Sequence, residues 1–546
     1  IDNQGVIVAY GRNLGGTSAS FNNTQVFDEF KSLTNSGQIF SISEKAHARV
    51  LQSYVYPQIV NSGLLAAYSG AESATVLFMP NGGRFVNMAT GVVLAEGREA
   101  TALNVGNGLD SSVYEVENAG RIEAASIPGG KPAVGILSEY TDVRNTGLIK
   151  ADIGLAMSGV ISNAGRIEGE IAILSLDLIK IVNEAGAVIA GRIEGGLGQD
   201  RIENSGLIEG GGFLSAGNDS FLNLGSGSVT GVIDLGLGDD LYSGHNGLDR
   251  VAGDNGQDQI DGAGGNDLLV GGNDSDRIAG GAGNDGLYGE RGSDVLVTLG
   301  GDHADGGRED DRVELGDYSF AFAGGGSGID TLVLPTGARL LDLGLILSSG
   351  RVAGFEIIAL GGSQVLIVNP GNVAALAEGD ALRIDAAASD RVELVGAWTA
   401  QANVERGGSL YRVYTLGLET VLVKDGVQVQ VLATPTAGAV GLDAVAAGAP
   451  APLPGEASGL TLTPDELQVT YLEIFEPTII YQGETWFTIG SAPAIYAWRD
   501  SAALDNQGIL SAFNEVQATA IAVLMSAVLV AGSWPYLRQL LAGRSR

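Results

Sequence analysis

Bulky apolar residues return at two fixed periods along this chain. Between Leu235 and Val297 the period is nine: Tyr242, Val251, Ile260, Leu269, Ile278, Leu287 and Leu296. Each stands two positions after an aspartate of the series Asp240, Asp249, Asp258, Asp267, Asp276, Asp285 and Asp294. Gly stands two positions before the aspartate, with Asp274 as the exception. The apolar half of each unit predicts a short strand with its bulky side chain turned inward. The Gly-rich half predicts a turn that exploits backbone conformations with φ > 0. Two units make one full coil, so turns stack on both flanks of a roll. An unstructured Gly/Asp linker would not hold the apolar residue in phase through the whole run.

The second period lies upstream and reads U-x-N-x-G-x-I, where U is bulky and apolar. Copies run Leu33 to Ile39, Ile59 to Leu65, Val116 to Ile122, Val143 to Ile149, Ile161 to Ile167 and Ile202 to Ile208, and a copy at Asn183 carries one extra residue. From Asn145 to Asn223 the Asn recurs every 18 to 21 residues; earlier gaps of about 26 to 32 predict loops inserted in the coils. Asn and Gly tolerate left-handed backbone, so N-x-G marks a corner. A repeated coil of about 20 residues predicts a parallel β-helix. An ordinary β-sandwich with Asn-Gly hairpins does not explain one corner per coil.

The two patterns merge. Gly195-Gly196-Leu197-Gly198-Gln199-Asp200 opens a complete nonapeptide that leads into Asn204-Ser205-Gly206, and Ala216 to Phe221 is a partial one around Asp219. The predicted fold is therefore mainly β: a right-handed parallel β-helix over 1–194 that continues along one axis into a β-roll over 195–333. Residues 334–432 lose the nine-residue period but alternate like strands at 365–368, 392–395, 411–414 and 427–431, which predicts a further β module. Residues 433–459, rich in Ala, Gly and Pro, read as a linker. A C-terminal module over 460–546 follows, strands first and then an apolar helix.

Carboxylates that recur at stacked turns sit among backbone carbonyls, and hard oxygen ligands of this kind suit Ca²⁺. Without an ion they would repel along each flank. The candidate ligands are Asp200, Asp219, Asp240, Asp249, Asp258, Asp267, Asp276, Asp285, Asp294, Asp302, Asp311 and Asp330. The pattern G-G-x-G-x-D-x-U-x resembles the RTX family of secreted bacterial proteins, strongest over 262–270, 271–279 and 280–288. It weakens where His245 and Asp254 replace the second Gly and Leu235 the first, and where the phase slips by one residue after Asp294, so the turns at Asp302 and Asp311 are expected to bind poorly. The resemblance implies several Ca²⁺ ions held between paired turns, folding driven by external calcium, and an extracellular setting. The Asn-Gly coils are similar to those of surface adhesins and other long secreted solenoids. The run Asp390 to Trp398, with Tyr411 to Tyr414 after it, looks like a β module that often follows calcium repeats. Its Trp398, Tyr411 and Tyr414 are either packing residues or the lining of a glycan site.

The formal net charge is -34. That excludes a nucleic-acid binder working through phosphate contacts. With Cys 0, disulfide and thiol chemistry are excluded. The first residue is Ile1 rather than Met, which reads as a processed or partial chain. The three histidines, His47, His245 and His303, form no H-E-x-x-H, and there is no G-x-S-x-G element. His245 and His303 are expected as exposed turn residues. Polysaccharide epimerases and lyases also join a β-helix to calcium repeats, but no clustered His, Tyr and basic site is visible, and the chain reads as a non-enzyme.

The uncharged stretch 518–532 is short for a bilayer, which needs about 20 residues. It reads as a membrane anchor, an interface helix or part of a secretion signal. Finally, Ile1-Asp2-Asn3-Gln4-Gly5-Val6-Ile7-Val8-Ala9-Tyr10 is echoed by Leu504-Asp505-Asn506-Gln507-Gly508-Ile509-Leu510-Ser511-Ala512-Phe513. Near-copies at the two ends suit head-to-tail contact between molecules through 1–10 and 504–513, or a duplication within one solenoid. The leading expectation is a calcium-dependent structural protein that self-assembles at the cell surface as a layer or filament. An adhesin that binds glycans or other cells, with cell-surface polysaccharide as partner, comes second. A polysaccharide-modifying enzyme comes third.

Overall fold

A computed structural model describes residues 1–11, 24–28, 30–106, 114–337, 339–377 and 381–434, with three short strands at Ile479–Tyr481, Glu484–Thr488 and Ile495–Tyr496. The second decapeptide copy, 504–513, the apolar stretch 518–532 and nearly all of the expected linker lie outside the described residues. The chain forms two compact units, one built on Ile1–Gly236 and the other on Leu237–Thr463.

The first unit is a parallel β-solenoid. One run of stacked strands contains Asp2–Asn3, Ser32–Asn35, Gln58–Asn61, Gly83–Asn87 and Tyr114–Asn118, each paired in parallel with the next. A second contains Val6–Gly11, Gln38–Ser43, Leu64–Ser69, Val92–Gly97 and Arg121–Ser126. A third contains Thr24–Asp28, Ala48–Gln52, Ser73–Met79 and Glu99–Val105. In the shorter coils that follow, the faces fuse into the long strands Val134–Asn145, Ile153–Asn163 and Arg166–Asn183. From Asn35 onward the apolar residue two before each corner Asn stacks inward and is buried: Leu33, Ile59, Phe85, Val116, Val143, Ile161, Ile181, Ile202 and Phe221.

The corners are joined by their own side chains. Asn3 donates Nδ2–H to Asn35 Oδ1 at 2.7 Å, and the same bond repeats through Asn61, Asn87, Asn118, Asn145, Asn163, Asn183, Asn204 and Asn223 at 2.8–2.9 Å. The Asn3 coil, Ile1 to Ile7, fits the motif as well, and the Asn87 coil extends the repeat beyond it. Asn87 escapes it because two more residues separate it from its Gly91. An Asn side chain carries both a donor and an acceptor, so each rung satisfies the next without outside help.

The second unit holds the roll, with two strands per coil. One side stacks Leu241–Ser243, Gln259–Asp261, Arg277–Ala279, Val295–Thr298, Arg312–Leu315 and Thr331–Val333. The other stacks Arg250–Asn255, Leu268–Asn273, Gly286–Arg291, His303–Arg308 and Phe322–Ser327. The in-phase apolar residues, from Tyr242 to Leu296, form the buried interior. Parallel pairing runs on past residue 333: Thr331–Val333 pairs with Ile357–Ala359, and that strand with Leu382–Asp385.

Beyond that point the coils lengthen to admit two short helices, Leu343–Ser348 and Pro370–Leu376, and an antiparallel pair, Ser409–Leu416 with Glu419–Lys424. A second parallel sheet joins Arg339–Asp342, Gln364–Val368, Arg391–Val395 and Gln428–Leu432. These strands carry the alternating segments expected after the roll. Among the described residues, no helix is long and apolar enough to cross a membrane.

Candidate metal centre

The nine-residue ladder becomes two rows of carboxylates, because residues eighteen apart meet on neighbouring coils. Along one row the backbone N–H of Asp240 donates to Asp258 Oδ1, Asp258 to Asp276, Asp276 to Asp294, Asp294 to Asp311 and Asp311 to Asp330, all at 2.8–2.9 Å. Along the other, Asp249 donates to Asp267, Asp267 to Asp285 and Asp285 to Asp302, again at 2.8–2.9 Å. In the first unit Ile179 donates to Asp200 Oδ1 and Asp200 to Asp219 Oδ1, both at 2.7 Å.

One carboxylate oxygen per rung is thus spoken for. The other is not: Oδ2 of Asp258, Asp267, Asp276, Asp294, Asp311 and Asp330 is buried with no hydrogen-bond partner. Burying an anion without partners costs several kcal/mol. A fold that repeats the arrangement rung after rung must offset that cost with something positive.

The glycine five positions before each of these aspartates makes the room. A Cβ at Gly253 would lie 2.2 Å from Asp258 Oδ2 and 2.5 Å from the Gly271 carbonyl oxygen. At Gly289 the distances are 2.3 Å to Asp294 Oδ2 and 2.4 Å to the Gly306 carbonyl. Gly244 and Gly262 meet Oδ2 of Asp249 and Asp267 and a turn carbonyl in the same way, and Gly271 and Gly280 face Oδ2 of Asp276 and Asp285. A carboxylate oxygen and a turn carbonyl therefore lie side by side at the same glycine, a pair of hard oxygens of the kind that suits a divalent cation. Among the described residues no three His, Asp or Glu side chains come together. The donor set fits Ca²⁺ through carboxylates and backbone carbonyls.

Burial, and then the carboxylates along the row, push these acids up: Asp258 and Asp267 to about 7, Asp276 to about 9 and Asp311 to about 8. Asp294 and Asp330 rise to about 6 for the same first reason. Protonation would relieve the charge below these values, and a bound cation would relieve it above them.

The predicted ligands do not all share this geometry. Asp200 Oδ2 accepts the Gly196 N–H at 3.0 Å, and Asp302 Oδ2 accepts the Leu299 N–H at 2.7 Å. Leu214 and Leu235 occupy the glycine position before Asp219 and Asp240. Outside the ladder, Asp390 is closed in the same manner as Asp302, by the N–H groups of Gln364 and Ala387 at 2.8 Å each.

The left-handed turn positions also depart from the motif. Asp254 (φ 79°), Ala263 (φ 65°), Asp274 (φ 76°) and Glu290 (φ 73°) hold backbone that favours glycine. Each costs of order 1 kcal/mol or more, a strain the stacked coils impose.

One expectation about the histidines is corrected. His303 lies in the strand His303–Arg308 and stacks on Phe322 at 4.8 Å and beside Tyr288 at 5.9 Å. Burial lowers its pKa. Coil-to-coil register places these rings in a column, so His303 is no exposed turn residue. His245 is half-buried and lies outside any strand, and His47 Nδ1 meets Ser73 Oγ at 2.5 Å. Of the aromatics weighed for a glycan site, Trp398 is buried with Nε1–H on the Val395 carbonyl, and Tyr411 is buried with its hydroxyl on Asp385. Tyr414 is half-buried on the same strand as Tyr411.

A family model for the RTX calcium-binding nonapeptide repeat (4 copies) matches residues 234–269 and 261–296. No curated protein and no solved structure matches the chain. The matched span covers the rungs from Asp240 to Asp294, and repeats of this family bind Ca²⁺.

Proposed function

We propose that this chain, which carries RTX calcium-binding nonapeptide repeats, is an extracellular structural protein that self-assembles at the cell surface with calcium rigidifying the roll. Proteins with this repeat are generally secreted, which supports the setting. The observation that carries the self-assembly reading is the near-copy of the first coil at 504–513. Among the described residues, Asp2–Asn3 and Val6–Gly11 each have one hydrogen-bonded neighbour strand, and Val6, Val8 and Tyr10 are exposed there.

The echo of this coil at 504–513 supplies a matching sequence, with Asn506 in the place that would extend the Asn ladder beyond Asn3. Contact of that kind is heterologous and builds filaments or lattices when its rotation does not close. Calcium enters as the ion that neutralises the roll, so assembly would depend on it.

Negative-stain imaging of the purified chain, first with calcium and then with a chelator, tests the reading. Filaments or sheets that disperse on chelation are expected. Discrete particles in both conditions contradict it. Saturable glycan binding by such particles would favour the adhesin, with cell-surface polysaccharide as partner. Deleting 504–513 should abolish polymerisation, and unchanged polymers would exclude the end-to-end contact.

A further inference from the structure

We infer that the row of cation sites runs past the recognised nonapeptides to Asp311 and Asp330, and that Asp302 and Asp200 are closed to the cation by backbone N–H groups. This rests on the calcium reading of the roll and assigns its outer limits. For Asp200 and Asp311 motif completeness points the other way, although the Asp330 unit, Gly325-Gly326-Ser327-Gly328-Ile329-Asp330, is complete. Asp200 ends a full Gly-Gly-x-Gly-x-Asp unit, whereas the Asp311 unit, Gly306-Gly307-Arg308-Glu309-Asp310-Asp311, has Glu309 in place of its middle glycine and follows the phase slip.

The geometry decides between them. Asp311 is 2% exposed and Asp330 0%, and each gives Oδ1 to the rung before it while Oδ2 has no partner. Both keep the glycine cradle. A Cβ at Gly306 would lie 2.5 Å from Asp311 Oδ2 and 2.5 Å from the Gly325 carbonyl oxygen. At Gly325 the distances are 2.7 Å to Asp330 Oδ2 and 1.9 Å to the Gly354 carbonyl. The same pair of oxygens converges at Gly253 and Gly289 within the recognised repeats. The row ends one coil later, where the Asp330 N–H goes to Glu356 Oε2 at 2.9 Å instead of to an aspartate.

Asp302 differs for a reason visible in the chain. It follows Asp294 by eight residues instead of nine, and Val297 stands where the cradle needs glycine. The shortened turn aims the Leu299 N–H at Oδ2. A hydrogen-bond donor then occupies the side of the carboxylate that a cation takes elsewhere. At Asp200 the Gly196 N–H does the same. Two backbone donors on one carboxylate hold its charge without an ion.

Calcium bound per chain, counted by elemental analysis of the full-length protein after gel filtration in micromolar calcium, tests the assignment. Asp311→Asn and Asp330→Asn should each lower the count by at least one ion, as Asp276→Asn should. Asp302→Asn and Asp200→Asn should leave it unchanged. Gly306→Ala, which fills the cradle and keeps Asp311, should also lose an ion, and this separates a lost ligand from a general loss of fold. Unchanged counts in Asp311→Asn and Gly306→Ala, or losses in Asp302→Asn and Asp200→Asn equal to that of Asp276→Asn, would overturn the inference. If the unaltered chain binds no calcium at all, it is the reading of the roll that fails.

Discussion

At the scale of single residues, the chain uses two related side chains for the same task of tying one coil to the next. Asn closes on itself: Asn118 accepts from Asn87 and donates to Asn145 Oδ1 and to the Leu148 carbonyl. Replacing it with Ala leaves buried donors and acceptors unmatched, each worth about 1–3 kcal/mol. Asn118→Ala should therefore destabilise its coils by about 3 kcal/mol, read as lost hydrogen-exchange protection near Asn87 and Asn145, in calcium and in chelator alike. Asp cannot close on itself, because an ionised carboxylate only accepts. Asp276→Asn should lower calcium binding yet raise the melting temperature of the metal-free roll at pH 8, since it removes a carboxyl group that the fold must either protonate or bury charged. A lower melting temperature in chelator would show that the Asp276 carboxyl is not a liability there.

The Asp rows and the apolar column were legible in the sequence because both recur with the coil. Closure of Asp200 was not legible, since it depends on where a single N–H points after a turn, whereas the phase slip already marked the turn at Asp302. His303 was misplaced for a similar reason. The turn-like sequence around it, Leu299-Gly300-Gly301-Asp302, gave no sign that the next residue opens a strand between Tyr288 and Phe322.

At the scale of elements, each row of carboxylates behaves as one electrostatic unit. Its acids titrate well above their ordinary value because burial disfavours the charged form. The sign follows from linkage. A carboxyl group whose pKa is raised in the folded state contributes stability below its unfolded value near 4, and that contribution is lost as pH rises through the folded value. With Asp258 and Asp267 at about 7 and Asp276 at about 9, the window runs from about pH 4 to 9.

In chelator, the melting temperature of the roll should fall as pH rises from 5 to 8, followed by circular dichroism. In millimolar calcium the trend should reverse, because protons and calcium compete for the same oxygens. Equal trends in the two buffers would mean that calcium does not bind at these carboxylates. The strands after the roll show a different limit of sequence reading. Alternation located 365–368, 392–395 and 427–431 correctly, but it carries no partner information, so their shared parallel sheet and the coil that joins 331–333 to 357–359 emerged only in three dimensions.

At the scale of the whole molecule, two mechanisms of cohesion lie in one chain. The Asn-cornered unit satisfies its corner side chains internally. The Asp-cornered unit leaves oxygens that an ion must complete. In a solenoid each coil contacts its neighbours, so stability is close to a sum over coils and adjacent interfaces. Removal of calcium should accordingly loosen the second unit while the first stays ordered, and any assembly that needs a stiff roll should fail with it.

Hydrogen–deuterium exchange resolved along the sequence, with calcium and with chelator, measures that difference directly. Protection between Asp240 and Asp330 should be high with calcium and should collapse in chelator. Protection from Asn35 to Asn204 should be the same in both. Equal protection of the Asp-cornered coils with and without calcium would contradict the account.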